Sequence, residues 1–325
     1  MPDIVMTMGP DTTDTPRSWQ IWGALTIVYI VWGSTYLGIM VVIETIPPML
    51  GGAMRFTIAG LLLVGFLLLR HGRSALTMNR RQFGGAALVG LLLLAGGNGM
   101  VAVAQQHISS GMAALLVASI PLLLVVMRVM ARDRPSLLTT VGVLIGFSGV
   151  ALLALTGGTG DDDGIGVVVI LLASVSWALG SFLSGRMPMP SSPLAASAVE
   201  MVVGGLAMIV VGAAVGERLD LASVSGASWT ALAYLIGAGS LIAYTSYIWL
   251  LQNAPISLVA TYAYVNPVVA VILGMLILNE TLTTQMVLGG LVIVVGVALV
   301  VSTERTRRRP AAAAPVKRQE ELSHS

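Results

Sequence analysis

No cysteine occurs among the 325 residues, only 10% are charged and only 6% are aromatic. The missing thiols exclude disulfides and thiolate metal sites. The shortage of charge excludes more. A soluble domain carries about 25% charged residues, so this chain lacks the polar surface that water requires. Histidine is scarce too. His71, His107 and His324 fall in loops or the tail. They form no convergent metal site, and none lies mid-span to serve Ser181 or Ser184 as the base of an intramembrane hydrolase. The "DDDG" at 161–164 lacks the remaining oxygen ligands of a calcium loop and reads as a solvated turn. No metal and no cofactor are expected.

What is present is hydrocarbon: 56% of residues are hydrophobic and the mean hydropathy is +0.90. Ten apolar runs lie near 20–43, 46–69, 83–105, 108–130, 136–156, 165–185, 193–215, 229–251, 256–278 and 284–302. A run of about 20 residues spans a bilayer core as a helix. Runs this uniformly apolar are helices rather than alternating barrel strands. The expected fold is an all-α polytopic membrane protein. Polar segments at 1–18 and 303–325 read as disordered tails, with no cleavable signal peptide at the start.

Charge is sorted between alternate loops. All of the 17 Lys and Arg residues except Arg55 and Arg218 fall in the N-terminal segment, the loops after runs two, four and six, or the C-terminal tail. The opposite loops hold Glu44, Asp161, Asp162, Asp163, Glu217, Asp220 and Glu280. The positive-inside bias predicts both termini in the cytoplasm of a multi-pass inner-membrane protein. The basic tail reads as topological and lipid-facing, not as a nucleic-acid surface.

The chain also repeats itself. At an offset of 145, Trp32 meets Trp177, Pro48 meets Pro193, Ala53 meets Ala198, and Gly60 meets Gly205. At 146, Gln106 meets Gln252 and Pro121 meets Pro267; at 147, "GVAL" (149–152) recurs at 296–299. Each repeat, 19–156 and 165–302, contains five spans, with an external linker at 157–164. Five is odd, so the halves are expected to cross the membrane in opposite senses. Inverted repeats of this kind mark secondary transporters, with cargo held near mid-membrane.

"VWGSTYLGI" (31–39) followed by "PPMLGGAMRFTIAGLLL" (47–63) resembles the opening of the drug/metabolite transporter superfamily, in its ten-helix EamA-type branch. "SVSWALGSFLSGR" (174–186) and "NETLTTQMVLGGLVIVVGVALV" (279–300) are similar to that family's second-repeat opening and ending. The resemblance implies a central cavity and export of small metabolites, amino acids or amphipathic drugs. One departure is "RDRPSLLTTVG" (132–142), more basic than its counterpart "NETLTTQMVLG" (279–289).

Candidate cargo-binding residues are the polar and aromatic groups set within spans: Trp32, Tyr36, Asn98, Trp177, Ser181, Tyr244, Tyr247, Tyr264 and Asn266. Trp and Tyr offer apolar faces with a hydrogen-bonding tip; Ser34 and Thr35 serve close helix packing equally well. Arg55 and Glu200 are the charged residues well inside spans and occupy matched repeat positions. They are expected as counter-charge or coupling groups, paired in one conformation, or else as a structural ion pair. Pro121 and Pro267 should kink matched helices by freeing the carbonyls of Val117 and Ala263, and are candidate gates. "GVLIG" (142–146) has GxxxG spacing, read as a close-packing face at the periphery or between copies in a homodimer. A passive channel or facilitator is the competing reading, since no residue displays energy coupling by itself.

Overall fold

The computed structural model describes residues 18–133, 135–156 and 164–307. Both expected tails and the 157–163 linker with its acidic triplet lie outside the described residues, apart from the tail's first few positions. In chain order the helices are α1 (Ser18–Ile43), α2 (Pro48–His71), α3 (Arg80–Ala104), α4 (Ser110–Met130), α5 (Leu137–Thr156), α6 (Gly164–Ser184), α7 (Pro193–Ala214), α8 (Gly226–Asn253), α9 (Tyr262–Ile277, led by the turn Ile256–Val259) and α10 (Thr284–Arg307). All but α9 are long and apolar enough to cross a membrane; α9 contributes the shorter apolar stretch Val265–Ile277. No strand occurs among the described residues. Large apolar side chains such as Leu69, Leu155 and Leu276 face outward, while Glu200 is 0% and Arg55 5% exposed. That inversion of the usual burial suits a lipid solvent.

Helix starts follow from local chemistry. Pro48 and Pro193, repeat mates, open α2 and α7, where a missing N–H costs nothing. Asn79 and Gln82 form a reciprocal capping box on α3. Carboxylates cap two other helices from a distance. Glu217 accepts from the Met49 and Leu50 N–H groups at 3.1 and 2.9 Å, and Glu280 from those of Ser110 and Gly111 at 2.8 and 3.1 Å. Negative charge is favoured there by the helix dipole.

The two repeats pack as a symmetric pair. α2 lies along α7 and α5 along α10, each helix against its own repeat mate; α1 contacts α8 and α9, as α6 contacts α3 and α4. The α2–α7 crossing shows the relation at atomic level. A Cβ on Gly60 would stand 2.9 Å from the Val202 backbone nitrogen, and one on Gly205 would stand 2.7 Å from that of Thr57. Gly60 mates with Gly205, and Thr57 with Val202. At α5–α10, a Cβ on Gly142 would meet the Gly296 carbonyl at 2.9 Å, and one on Gly149 the Gly289 carbonyl at 2.8 Å. The GxxxG face therefore packs against the chain's own α10. The spacing thus marks a close-packing face, as expected.

Four central helices are irregular. α3 and α8 carry π-helical stretches at Leu91–Gly99 and Leu235–Tyr244, at corresponding repeat positions. α4 is interrupted at Ala118 and Ser119, where tight bonds run from Ser119 N to Leu116 O and from Leu122 N to Ser119 O. Irregular backbone at membrane depth is tolerated where it is enclosed by protein or lines a cavity. The α4 break lies just before Pro121, close to where a kink was expected. In α9 the interruption is at Ala260 and Thr261, upstream of Pro267, which sits within the continuous helix. The ninth span, expected as one run over 256–278, is thus a short turn and a separate helix.

Candidate functional site

The middle of the bundle holds a cluster of rings contributed by four helices. Trp32 (α1) and Trp177 (α6), mates across the pseudo-twofold axis, meet edge to face with centroids 5.4 Å apart. Tyr247 (α8) lies 4.8 Å from Trp32 and 5.5 Å from Trp177; Tyr262 (α9) lies 5.5 Å from Trp32 and 5.9 Å from Tyr247. Such pairs contribute about 0.5–1.5 kcal/mol each beyond burial, so the cluster is cohesive. Its polar tips are engaged. Trp177 Nε1 donates to the Tyr247 hydroxyl at 3.2 Å, Ser181 Oγ shares a hydrogen bond with the same hydroxyl at 2.7 Å, and Trp32 Nε1 donates to the Gly239 carbonyl at 3.3 Å.

Beside these rings lies a cavity lined by Trp32, Tyr36, Arg55, Asn98, Trp177 and Asn266 together with Tyr262, Thr35 and small or aliphatic groups from α3, α4 and α6. Arg55, Asn98 and Ile39 also border a second, small space lined by Val42, Pro48 and Met208. It shares Ile43 and Pro48 with an open depression edged by Glu217, Arg218 and Asp220, at the end of the bundle with the acidic loops. Toward the basic end the rings are backed by Leu25, Val28, Leu122 and Leu250, all fully buried. The cavity thus adjoins a mostly apolar space in which Arg55 and Asn98 are the polar groups.

Two contacts fasten the broken helix α9 to α1. The hydroxyls of Tyr29 and Thr261 are hydrogen-bonded, and with its amide assigned the orientation that satisfies its neighbours, Asn266 donates to the carbonyls of Tyr29 and Tyr262 at 3.0 and 3.2 Å.

The intramembrane charges occupy separate niches on one helix. Arg55 Nε donates to Ser240 Oγ at 2.9 Å. Tyr244, four residues further along α8, donates its hydroxyl to Glu200 at 2.7 Å. The direct Arg55–Glu200 pair expected from the sequence does not form in this conformation, because α8 runs between them and supplies each with a neutral partner. The other Glu200 oxygen is buried without a partner among the described residues.

The expected site residues thus divide. Trp32, Tyr36, Asn98, Trp177, Asn266 and Arg55 border the cavity. Tyr247 and Ser181 stand behind it, holding Trp177. Tyr244 is buried against Phe56 and Glu200 instead of facing the cavity. Tyr264 lies in α9, its side chain outside the described set. Pro121 borders a crevice toward the basic end with Arg128 and Ala260. Pro267 lies in α9, one residue beyond Asn266. Sequence reasoning missed Gly239, whose carbonyl holds Trp32 and whose absent side chain admits Arg55; no local motif announces it.

A model of the EamA-like transporter family matches the chain twice, over residues 18–155 and 164–302. The inner membrane transporter YedA of Escherichia coli (strain K12) is 42% identical over 283 residues, covering 86% of this chain and 90% of YedA. The transporter YvbV of Bacillus subtilis (strain 168) is 25% identical, covering 88% of this chain and 93% of YvbV. A crystal structure superposes with a TM-score of 0.65 over 90% of this chain and 100% of the other, at 20% identity, a likeness of fold alone.

Proposed function

Because the chain belongs to the EamA-like transporter family, a multi-pass membrane transporter, we propose that it exports small metabolites, amino acids or amphipathic drugs by alternating access, coupled to protons or a second solute. The observation that carries this reading is the mated Trp32–Trp177 pair lining a cavity in the middle of the bundle. Inverted repeats permit two near-equivalent packings, one open to each end. The basic end is taken as cytoplasmic and the membrane as the inner membrane, the latter supported by the name of YedA. In this reading Glu200, buried with one oxygen that has no partner among the described residues, is the proton-responsive carboxylate, and the discontinuities in α4 just before Pro121 and in α9 at Ala260 and Thr261 are hinges.

The test is uptake into inverted membrane vesicles, with and without an imposed pH gradient, across a panel of amino acids, sugars, organic acids and cationic drugs. Accumulation above the equilibrium level, dependent on the gradient, is expected for at least one class. Equilibration without accumulation for every permeant solute would instead identify a passive facilitator.

A further inference from the structure

Arg55 is 5% exposed and has no carboxylate partner among the described residues. A buried cation without a counter-charge is costly, so one left in this state calls for an anion from outside the fold. Its guanidinium lies over the Phe56 ring, 4.6 Å from the centroid, and donates from Nε to Ser240; among the described residues its two Nη groups make no hydrogen bond, and Arg55 borders both the cavity and the adjoining space. The nearby polar groups are also uncommitted: the Tyr36 hydroxyl and the Asn98 side chain have no hydrogen-bond partner among the described residues, and both line the same cavity. No Asp or Glu is among the described residues lining it.

Gly239 fixes the geometry. A Cβ there would stand 2.9 Å from Arg55 Nη2, so the missing side chain is the space the guanidinium occupies. The Gly239 carbonyl accepts from the Trp32 indole. One glycine on the π-helical stretch of α8 therefore sets a fork of cationic donors beside an aromatic platform.

We propose that this cavity is an organic-anion site, in which Arg55 clamps the carboxylate of the cargo and the cargo's flat apolar body lies against Trp32 and Trp177. The inference rests on the transport reading above and narrows it. A planar guanidinium matches a carboxylate through two parallel N–H···O bonds. A cationic drug would meet a like charge in low dielectric, and a sugar would leave the guanidinium unpaired.

The test is calorimetric titration of the purified full-length chain in lipid nanodiscs with three probes that differ in their head group: phenylacetate, phenylacetamide and 2-phenylethylammonium. Phenylacetate should bind at least about tenfold more tightly than either of the others, the worth of one charge-assisted pair. Arg55→Gln should remove that advantage, so that phenylacetate binds no more tightly than phenylacetamide to the same variant; Gly239→Ala, which displaces the guanidinium but keeps its charge, should weaken phenylacetate by a similar factor. Equal binding of acid and amide by the unsubstituted protein, tighter binding of the ammonium, or no binding of phenylacetate would each overturn the proposal without recourse to a variant. Gradient-driven uptake of a non-anionic solute in the vesicle panel would leave the transport reading standing while this one fell.

Discussion

Replacing Gly60 or Gly205 with valine should disrupt the α2–α7 interface, and the two substitutions should do equal damage. At each position the new Cβ would fall within 3 Å of the partner's backbone nitrogen, a group that no rotamer change can move. The helices would have to separate, stripping contact from a seam that runs along both. Overpacking a tight core costs about 1–3 kcal/mol, and forced backbone displacement places these at about 3 kcal/mol or beyond. Gly65, also in α2, is the control: nothing lies within 4 Å of its Cβ. Valine there should be neutral or slightly stabilising, because glycine is a poor helix former. Thermal unfolding of the three variants in detergent reads the outcome directly. A Gly60→Val protein that melts with the unsubstituted one would show that the repeats do not meet at this crossing.

Glu200 is expected to give the second large effect, with fold and transport separable by the choice of substitution. Glu200→Ala leaves the buried Tyr244 hydroxyl without its acceptor and removes a fully buried side chain from the helix seam. An unsatisfied buried group and lost packing together should cost about 2–4 kcal/mol. Glu200→Gln retains an acceptor and nearly the same volume, so the unfolding transition should move by less than about 1 kcal/mol. If Glu200 carries the coupling proton, the glutamine variant nonetheless loses gradient-driven accumulation, by about tenfold or more, since an amide cannot exchange a proton in this range. Accumulation preserved in Glu200→Gln would remove Glu200 from the coupling scheme.

The fold was legible because membrane solvent imposes simple rules on sequence. Run length marked the helices, and mates such as Gly60 and Gly205 marked the duplication. The ring cluster followed from Trp32 and Trp177 once the repeat was seen. Other features were invisible for physical reasons. A π-helical stretch differs from an α-helix by one residue of hydrogen-bond register, which "LLLLAGGNG" does not encode in any periodicity. Pro267 marked a kink, but the ladder breaks at Ala260 and Thr261, where Thr261 bonds back to Leu258 and across to Tyr29. Matched depth suggested that Arg55 and Glu200 pair, yet depth fixes only one coordinate. The intervening face of α8, with Ser240 and Tyr244 four residues apart, decides their partners.

The central claim is that the two ends of the bundle open in turn around one cavity. Distance distributions between paired spin labels test it without knowledge of the cargo, and the absence of native cysteine makes the labelling clean. One pair, at Gln106 and Asp220, spans the acidic-end depression; the other, at Met130 and Gln252, spans the opposite end of α4 and α8. In nanodiscs both pairs should give two populations, and lowering the pH or introducing Glu200→Gln should shift them reciprocally, one end narrowing as the other widens. A single unchanging distance at both ends, or both ends widening together, would contradict alternating access and leave a fixed pore in its place.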